Sequence, residues 1–425
     1  MSDKLYFVDS ILQLTDNNNV HVSLFETEPD SETGFVTVSV NRDQLGMRNH
    51  KGTIKEGWYV YYNSEDSQIP FAYGNLAPFA RHQFNEFKTI QSQLIEKIVS
   101  VEESDSPLHF NIEKSHTEKV VSYHVNVGHG NCSLLLIQDK DAYEIWMVDC
   151  SLRDKTNWHN RCVFNNLNDC FHTIKQRLAI RDSDYLHINR FFLTHPHYDH
   201  YNGIMYLVDN KYIDSKTLFY VNLFYHVASP TYLKMLNELN AMNVRFIEPV
   251  SHNSTNAIKF LYPDCRTYRS DHTAIRKPAN YRIVKSPLNN SSSVIMFNIA
   301  HRTMVFPGDL EQDGFNIITN KKNCNPFLYN VDYYIISHHG SLNGHPFNDY
   351  KCPKQSYSLP SCNIRKLCKA ILMGRDKAYS GIYNQTVENF WSNCQCELVY
   401  TEHDPSGNKV KFVELDWSNG TVKYY

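Results

Sequence analysis

The sequence predicts a layered α/β protein preceded by a small all-β unit. From about residue 118 onward, apolar runs typical of buried strands alternate with stretches of three- and four-residue periodicity typical of helices. Before residue 80, apolar and polar residues alternate with the period of two that indicates half-buried strands. We therefore expect a β unit over residues 1–80, a linking segment over 81–117 and an α/β unit over 118–425.

The first unit is predicted to be a small antiparallel β-barrel or sandwich. Residues 20–22 and 36–40 alternate in hydrophobicity, and residues 57–63 form an aromatic strand after a glycine turn. Barrels of this kind can bind nucleic acid or peptides. Packing, contact with a protein partner or self-association fits the sequence as well. We expect the aromatic side chains of the third strand to fill the core rather than to serve as stacking platforms.

The linking segment is predicted to be an amphipathic helix. Its apolar stripe recurs at three- and four-residue steps, through Phe84, Phe87, Ile90, Leu94, Ile95 and Ile98. Because the opposite face is not rich in lysine or arginine, we expect the stripe to pack on a neighbouring domain and not on a membrane. The polar run 102–107 ends the helix and marks a domain boundary.

The α/β unit is predicted to interleave many strands with covering helices. We expect helices at 163–178 and 233–239, where apolar residues recur on one face. We expect strands at 121–127, 134–137, 145–148, 190–193, 217–224, 244–247, 294–299, 303–306, 333–336, 370–373 and 410–415.

Composition is that of a well-packed globular protein. The chain has 425 residues, of which 42% are hydrophobic and 20% charged. A net charge of −3 excludes a general attraction to nucleic acid, so contact with a polyanion requires a local basic patch. The 11 cysteines have no regular spacing and predict reduced thiols. Without a signal peptide or an apolar stretch of ~20 residues, we expect a soluble cytoplasmic protein with no membrane contact.

The histidine-rich segment after the strand at 190–193 is the strongest functional signal. It places His195, His197, Asp199 and His200 within six residues. A strand that ends there and turns tightly would point all four side chains at one small volume. Converging imidazole and carboxylate groups suit a divalent metal ion such as zinc or manganese.

Further segments end predicted strands with polar residues. Asp149 and Asp309 each close an apolar run, and His338 and His339 follow another. The turn 128–132 carries two glycines, which permit tight turning near a ligand. Strands that end on such groups place ligands at one edge of a sheet.

These segments, in this order, resemble the motifs of the metallo-β-lactamase superfamily, and specifically the hydrolase branch that includes the soluble domain of the DNA-uptake protein ComEC. The matching segments are VGHGNC at 127–132, MVDC at 147–150, THPHYDHYNG at 194–203, NSSSV at 290–294, GDLE at 308–311 and SHHGS at 337–341. The resemblance spans about residues 120–415. It implies an αββα sandwich with a dinuclear metal site at one edge of its sheets.

The resemblance also implies a role for each motif residue. His195 and His197 would bind one metal ion, Asp199 and His200 would bind the other, and Asp309 would bridge the two. The cofactors implied are therefore two divalent metal ions, Zn²⁺ or Mn²⁺, which would activate a hydroxide as the attacking group.

The remaining site residues are expected around this pair of ions. His338 is favoured as the last ligand, with His339 facing the substrate as proton donor or phosphate contact, although the two could be exchanged. Asp199 and His339 are the expected catalytic residues. Asp149 would orient a ligand histidine, the alternative being a plain strand-end turn. His226 is a candidate extra metal ligand, the alternative being a surface residue.

Basic residues in two predicted loops are consistent with an anionic substrate. Arg276 and Lys277 lie in a long basic stretch between 264 and 290, and Arg375 and Lys377 take the place of a substrate-side loop in the family. They could contact phosphate or nucleic acid, or they could be solvated loop charges.

The function predicted from the sequence is metal-dependent hydrolysis, with a phosphodiester of nucleic acid or of a nucleotide as the leading substrate. One alternative is hydrolysis of a small non-nucleotide ester, such as a phosphorylcholine-type ester or a lactone. Another is a non-catalytic binding protein on the same fold. No serine or cysteine nucleophile is required, and we expect Cys132 to be a packing residue.

Overall fold

A computed structural model of the chain describes three β-sheets and the helices that cover them. The described residues are 4–13, 19–26, 35–48, 50–54, 58–73, 89–90, 92–94, 118–139, 142–152, 162–181, 183–222, 229–262, 289–312, 314–315, 318, 331–345, 369–374, 382–393 and 396–425.

The first sheet is formed by the N-terminal residues and has seven strands. The short strands Gly46–Met47 and Phe71–Tyr73 pair parallel, and the other neighbouring strands pair antiparallel. Side chains of the first strand alternate between two cores: Tyr6 and Val8 pack inside this unit, whereas Phe7 packs against the rest of the protein. In spatial order the strands are β3 (Phe35–Asn41), β2 (Asn19–Glu26), β1 (Lys4–Gln13), β6 (Tyr59–Tyr62), β7 (Phe71–Tyr73), β4 (Gly46–Met47) and β5 (His50–Thr53).

The second sheet has eight strands. Four neighbouring strands at one end of this sheet run parallel, and the remaining pairs of neighbouring strands are antiparallel. In spatial order they are β13 (Arg245–Ile247), β12 (Leu218–Tyr220), β11 (Arg190–Phe192), β10 (Ala142–Cys150), β9 (Cys132–Asp139), β8 (Glu118–Val125), β20 (Phe412–Asp416) and β21 (Thr421–Tyr424).

The third sheet has six strands, of which β16 to β19 run parallel and β14 to β16 antiparallel. In spatial order they are β14 (Ile258–Tyr262), β15 (Val294–Ile299), β16 (Arg302–Phe306), β17 (Tyr333–Ile335), β18 (Lys369–Leu372) and β19 (Glu397–Tyr400).

Helices cover the outer faces of the second and third sheets. Their bounds are α1 (Cys162–Arg177), α2 (Tyr198–Tyr201), α3 (Ile204–Asp209), α4 (Pro230–Ala241) and α5 (Gln385–Asn393), with 3₁₀ turns at Arg42–Leu45, Ser251–Asn253, Asn289–Ser291 and Ser337–Gly340. Leu167 of α1 and Leu236 of α4 share a core with the second sheet, and Trp391 of α5 packs on the third. In the described residues, no helix combines the length and apolar character that crossing a membrane requires.

An apolar layer joins the second and third sheets face to face. Trp146 and Phe192 from the second sheet meet Phe297 from the third, with ring centroids 5.4 and 5.1 Å apart. Helix, sheet, sheet and helix therefore stack in that order, each pair of layers sharing its own core. The predicted αββα sandwich is confirmed.

The linking helix contacts the sandwich. Ile90 and Leu94, both on the predicted apolar stripe, are buried in the core that α1 and α4 share with the second sheet. Beside them, Asn240 of α4 donates its amide N–H to the Gln93 side chain over 3.3 Å. The described part of the stripe thus packs on the second sheet and its helices. The remaining stripe residues lie outside the described residues: Phe84, Phe87, Ile95 and Ile98.

The aromatic strand of the first unit also serves packing. Tyr59 and Val60 are buried, with Tyr59 joining the core of the second sheet and Val60 the core of its own unit. Trp58 and Tyr62 pack against the latter core. These contacts are those of core residues, the role that the sequence favoured.

The sequence did not predict the strands β1, β4, β5, β7, β14, β19 and β21 or the helices α2, α3 and α5. Four of these strands lie at sheet edges, where β5 bounds the first sheet, β21 the second, and β14 and β19 the third. β14, β19 and β21 have only four or five residues each, of which three, one and none are buried, so their apolar signal is weaker than that of a long buried strand.

One cysteine contradicts the prediction of reduced thiols. Cys396 is disulfide-bonded, whereas Cys132, Cys150 and Cys170 are free and buried. The prediction was wrong because spacing along the chain does not show which thiols the fold brings within bonding distance.

Candidate metal centre

The strand ends of the two sheets meet at one edge of the sandwich. β10 and β11 run parallel and end near Asp149 and the histidine-rich segment 194–200. β16 and β17 also run parallel and end near Asp309 and the paired histidines at 338–339. A backbone hydrogen bond joins the two sets of loops, because the N–H of Ser293 donates to the carbonyl of Thr194 over 2.8 Å.

A β-bulge turns Asp149 into this edge. The pairing of β10 with β9 shifts register between Val148 and Cys150, and Asp149 has a left-handed backbone with φ 54°. Its carboxylate accepts the backbone N–H of Thr194 over 2.8 Å and the hydroxyl of Thr194 over 2.7 Å. The Nδ1–H of His200 donates to the same carboxylate over 2.7 Å. Asp149 therefore fixes the start and the end of the histidine-rich segment.

A first group of metal-ligating side chains spans the two sheets. His195, His200 and Asp309 each offer one ligand atom, and these atoms lie within 4.8 Å of one another. The Oδ2 of Asp309 lies 3.3 Å from His200 Nε2 and 3.9 Å from His195 Nε2. His197 adjoins this group, since its Nδ1 lies 3.0 Å from His195 Nε2. All four side chains are buried.

A second group lies beside the first and consists of His129, Asp199 and His339. The Oδ2 of Asp199 lies 3.3 Å from His129 Nε2 and 3.6 Å from His339 Nε2. The rings of the two histidines are close, with centroids 4.2 Å apart. His129 comes from the turn between β8 and β9, Asp199 from α2 and His339 from a 3₁₀ turn, so this group draws on three separate segments.

Asp309 connects the two groups. Its Oδ2 lies 3.5 Å from His339 Nε2 and 3.3 Å from His200 Nε2, and its Oδ1 has no hydrogen-bond partner among the described residues. Two ligand atoms bound at about 2.0–2.2 Å to one tetrahedral ion lie roughly 3.3–3.6 Å apart. Most separations in both groups are close to this range. The residues therefore fit two adjacent divalent metal ions.

The orientation of the His339 ring supports that fit. A carbonyl oxygen only accepts, so Nδ1 of His339 carries a proton and donates to the carbonyl of Met373 over 3.1 Å. Its Nε2 then faces Asp309 and Asp199 at 3.5 and 3.6 Å, too far for well-formed N–H···O bonds. The negative charge of the two carboxylates calls for a cation here, which either a proton on Nε2 or a metal ion bound to Nε2 would supply.

The charges of the site depend on one another. Burial by itself lowers the pKa of His200, but the carboxylates of Asp309 and Asp149 outweigh it and raise that pKa well above its usual value. Burial would raise the pKa of Asp309, but His200 and His339 hold it well below its usual value. Burial, with His200 and His197 nearby, lowers the pKa of His195 well below its usual value. The metal-free site thus holds a charged His200–Asp309 pair beside a neutral His195.

The two neighbouring histidines after β17 differ in position. Both have a left-handed backbone, with φ 48° for His338 and 52° for His339. His338 Nε2 lies 4.0 Å from Asp309, and its Nδ1 lies 3.7 Å from Glu311. Burial lowers the pKa of His338 to about 4. Of these two histidines, His339 and not the favoured His338 lies within 3.6 Å of both the Asp199 and the Asp309 carboxylates.

The grouping also differs from the one that the resemblance implied, which placed His200 with Asp199. In the structure, His200 Nε2 faces Asp309 because Asp149 holds the opposite side of its ring. Asp199 faces His129 instead, at 3.3 Å.

Several residues around the site were not identified from the sequence. The turn holding His129 was noted only for its glycines, although a histidine at a strand end is itself a signal. Ser292 Oγ accepts the N–H of Asp309 over 3.1 Å. Glu311 accepts side-chain N–H groups from Asn289 and Asn343 over 2.8 and 2.9 Å. Backbone contacts such as the Met373 carbonyl leave no mark in a sequence.

The remaining predicted site residues lie outside the described residues. They are the candidate ligand His226 and the candidate substrate contacts Arg276, Lys277, Arg375 and Lys377.

Comparison with known proteins adds little to this geometry. No family model matches the chain, and no curated protein matches it. Among solved structures, a mutant of CmlA beta-hydroxylase is similar with a TM-score of 0.34 at 9% identity, covering 97% of this chain and 75% of that chain. Similarity at this level carries no functional inference, so the metal-binding arrangement rests on the side chains themselves.

Proposed function

We propose that this chain is a metal-dependent hydrolase of the metallo-β-lactamase superfamily that cleaves phosphate esters, with a phosphodiester of DNA, RNA or a nucleotide as its substrate. The observation that carries the proposal is the position of Asp309 between two groups of buried ligands, 3.3 Å from His200 and 3.5 Å from His339. The ordered motifs from VGHGNC to SHHGS support the superfamily and its ComEC-type branch.

Two adjacent divalent ions supply hydrolytic chemistry when bound, because they lower the pKa of a water molecule and neutralise charge that develops on the substrate. The chain holds the groups that this chemistry needs in fixed positions. Asp309 reaches both ligand groups, Asp149 fixes the ring of His200, and the Met373 carbonyl fixes the ring of His339. Nitrogen and oxygen ligands of this kind suit Zn²⁺ or Mn²⁺.

The charge of the loaded site favours an anionic substrate. The two ligand groups contain two carboxylates, Asp199 and Asp309, and the other members are histidines. Two divalent ions would therefore leave a net charge of about +2 at a buried position. A phosphodiester, which carries one negative charge, is attracted to such a site more strongly than a neutral lactone.

We extend the proposal to the basic residues that the sequence singled out. Arg276, Lys277, Arg375 and Lys377 would contact the phosphate groups of a substrate. If they do, Arg276→Glu with Lys277→Glu should weaken binding to single-stranded DNA and flatten its dependence on salt. An unchanged salt slope would remove these two residues from the substrate site.

A substrate panel tests the proposed reaction. The purified chain, loaded with Mn²⁺ or Zn²⁺, is assayed on bis-p-nitrophenyl phosphate, single-stranded DNA, RNA and a lactone. We expect turnover of the phosphodiesters, and loss of that turnover in Asp309→Ala. Asp209→Asn is a matched control, because this carboxylate is exposed at the end of α3.

Each other outcome assigns a different function. Turnover of the lactone alone would favour hydrolysis of a small non-nucleotide ester. Two bound ions without turnover of any substrate would favour a non-catalytic binding protein, for which the N-terminal sheet would be the partner surface. A cytoplasmic location also remains a proposal, and the disulfide at Cys396 counts against it, since disulfides are rare in that compartment.

A further inference from the structure

We propose that His129 is a protein ligand of the second metal ion, together with Asp199 and His339. The inference rests on the proposed metal centre but not on any particular substrate. The three side chains form one group whose ligand atoms lie within 4.8 Å of one another. All three are buried, so their polar atoms face each other and not bulk water.

The distances match those between ligands of a single ion. His129 Nε2 lies 3.3 Å from Asp199 Oδ2, and His339 Nε2 lies 3.6 Å from the same oxygen. Ligand atoms on one tetrahedral ion are separated by roughly 3.3–3.6 Å. His129 and His339 approach that oxygen from separate loops, and their rings are tilted by 52° to each other. Two imidazoles and a carboxylate are a ligand set typical of a catalytic metal ion.

The turn that carries His129 is fixed against α2, which carries Asp199. The N–H of Asn131 donates to the backbone carbonyl of Asp199 over 3.2 Å. Gly130 has φ 141°, and a Cβ there would lie 2.7 Å from the same carbonyl, so only glycine permits this approach. On the other side of the turn, Asn126 accepts the N–H of Gly128 over 3.2 Å. The backbone therefore holds His129 at the site.

Ligation by His129 changes how the ligands divide between the two ions. One ion would take His195, His200 and Asp309, with His197 Nδ1 3.0 Å from His195 Nε2. The other would take the His129 group, with Asp309 3.5 Å from His339. Loss of His129 should therefore weaken the binding of one ion and leave the binding of the other unchanged.

The alternative is that His129 and Asp199 form an ion pair that requires no metal. The two roles differ in what residue 129 must provide. An ion pair needs a positively charged donor, whereas a metal site needs an electron-pair donor. Cysteine separates them, because a thiolate binds a metal ion but cannot form an ion pair with a carboxylate.

The experiment uses the full chain, stripped with a chelator and titrated with Zn²⁺ or Co²⁺. Bound metal is counted by elemental analysis, and affinities are measured by competition with a chromophoric chelator. In His129→Ala, we expect one ion to bind as in the wild type and the other to bind more weakly. The loss should exceed the ~10–100-fold that follows removal of an outer hydrogen-bond partner. Two ions bound with wild-type affinities would overturn the proposal.

A second variant gives a positive signal. With Co²⁺ bound, His129→Cys should show a thiolate-to-cobalt charge-transfer band that the wild type lacks. His187→Cys is the matched control, because His187 also lies near a carboxylate, 3.6 Å from Asp214, but away from the site. Absence of the band in a folded His129→Cys that still binds two cobalt ions with wild-type affinity would contradict ligation, even if His129→Ala fails to fold.

These outcomes separate this proposal from the proposed function. If the wild type binds no metal, the metal centre itself is wrong. If the wild type binds two ions and His129→Ala binds both unchanged, only the role of His129 is wrong. Turnover of the substrate panel is not needed for either conclusion.

Discussion

The Oδ2 of Asp149 lies 2.7 Å from Nδ1 of His200, and this contact decides which nitrogen of His200 can reach a metal ion. Because the carboxylate accepts the Nδ1 proton, the opposite nitrogen, Nε2, faces Asp309 at 3.3 Å. The same carboxylate accepts two hydrogen bonds from Thr194, directly before the first ligand histidine. One buried side chain thus sets the geometry of a whole ligand segment.

Replacing Asp149 by Asn should weaken metal binding without removing a ligand. An amide N–H opposite Nδ1 of His200 favours the tautomer whose proton is on Nε2, which is then unable to bind a metal ion. We expect the affinity for one ion to fall by about 10–100-fold. Competition with a chromophoric chelator measures the change, with Asp209→Asn as the exposed control. An Asp149→Asn variant with wild-type affinity would show that this contact does not select the tautomer.

His338 and His339 should give different losses when each is replaced by Ala. His339 Nε2 lies 3.5 and 3.6 Å from the two carboxylates, so His339→Ala should lower the number of ions bound. His338 lies 4.0 Å from Asp309, so His338→Ala should keep both ions and lower kcat/KM. Elemental analysis and phosphodiester turnover separate the two effects. The opposite pattern would restore His338 as the ligand, the assignment that the sequence favoured.

The stability of the metal-free protein should depend on pH through the His200–Asp309 pair. The pKa of His200 is raised above 6.5, so its contribution is complete below pH 6.5 and is lost as pH rises through the raised pKa. The pKa of Asp309 is lowered below 3.8, so its contribution is complete above pH 3.8 and is lost as pH falls through the lowered pKa. The His200–Asp309 pair therefore stabilises the metal-free fold fully between pH 3.8 and pH 6.5.

Denaturant unfolding of the metal-free chain at pH 6 and pH 9 tests this dependence. We expect lower stability at the higher pH, and a smaller difference in His200→Gln, which lacks the titrating group. Metal-loaded protein should show the reverse trend, because metal binding competes with the proton on His200. Equal pH dependence in wild type and His200→Gln would show that the pair does not contribute.

Gly203 should tolerate no side chain. A Cβ at this position would lie 2.5 Å from Cys150 Sγ and 2.8 Å from the carbonyl of Cys150, which accepts the N–H of Gly203 over 2.7 Å. We expect Gly203→Ala to lower the free energy of unfolding by about 1–3 kcal/mol. Gly46→Ala is the control, because the nearest atom to its Cβ would be 3.8 Å away. Similar stabilities for the two variants would show that α3 can move away from β10.

Much of the fold follows from the sequence, because buried strands leave apolar runs of the right length. The strand predicted at 294–299 matches β15 (Val294–Ile299), and the helix predicted at 163–178 differs from α1 (Cys162–Arg177) by one residue at each end. The edge strand β21 was missed because none of its four residues is buried and no apolar run marks it.

The site was predictable only where its residues are adjacent in the chain. The spacing of His195, His197, Asp199 and His200 is sufficient by itself to predict a metal site. His129 was not identified because its nearest partner, Asp199, is 70 positions further along the chain and only the fold brings them to 3.3 Å. Which of His338 and His339 faces the carboxylates depends on two left-handed backbone conformations, which residue type does not reveal.

Elemental analysis of the purified wild-type chain after metal loading shows whether the strand-end residues hold a pair of metal ions. The geometry around Asp309 predicts two divalent ions per chain, and fewer than two in Asp309→Ala, at equal recovery of folded protein. If the folded wild-type chain is incubated with zinc or manganese and retains neither ion after gel filtration, there is no metal centre at this site.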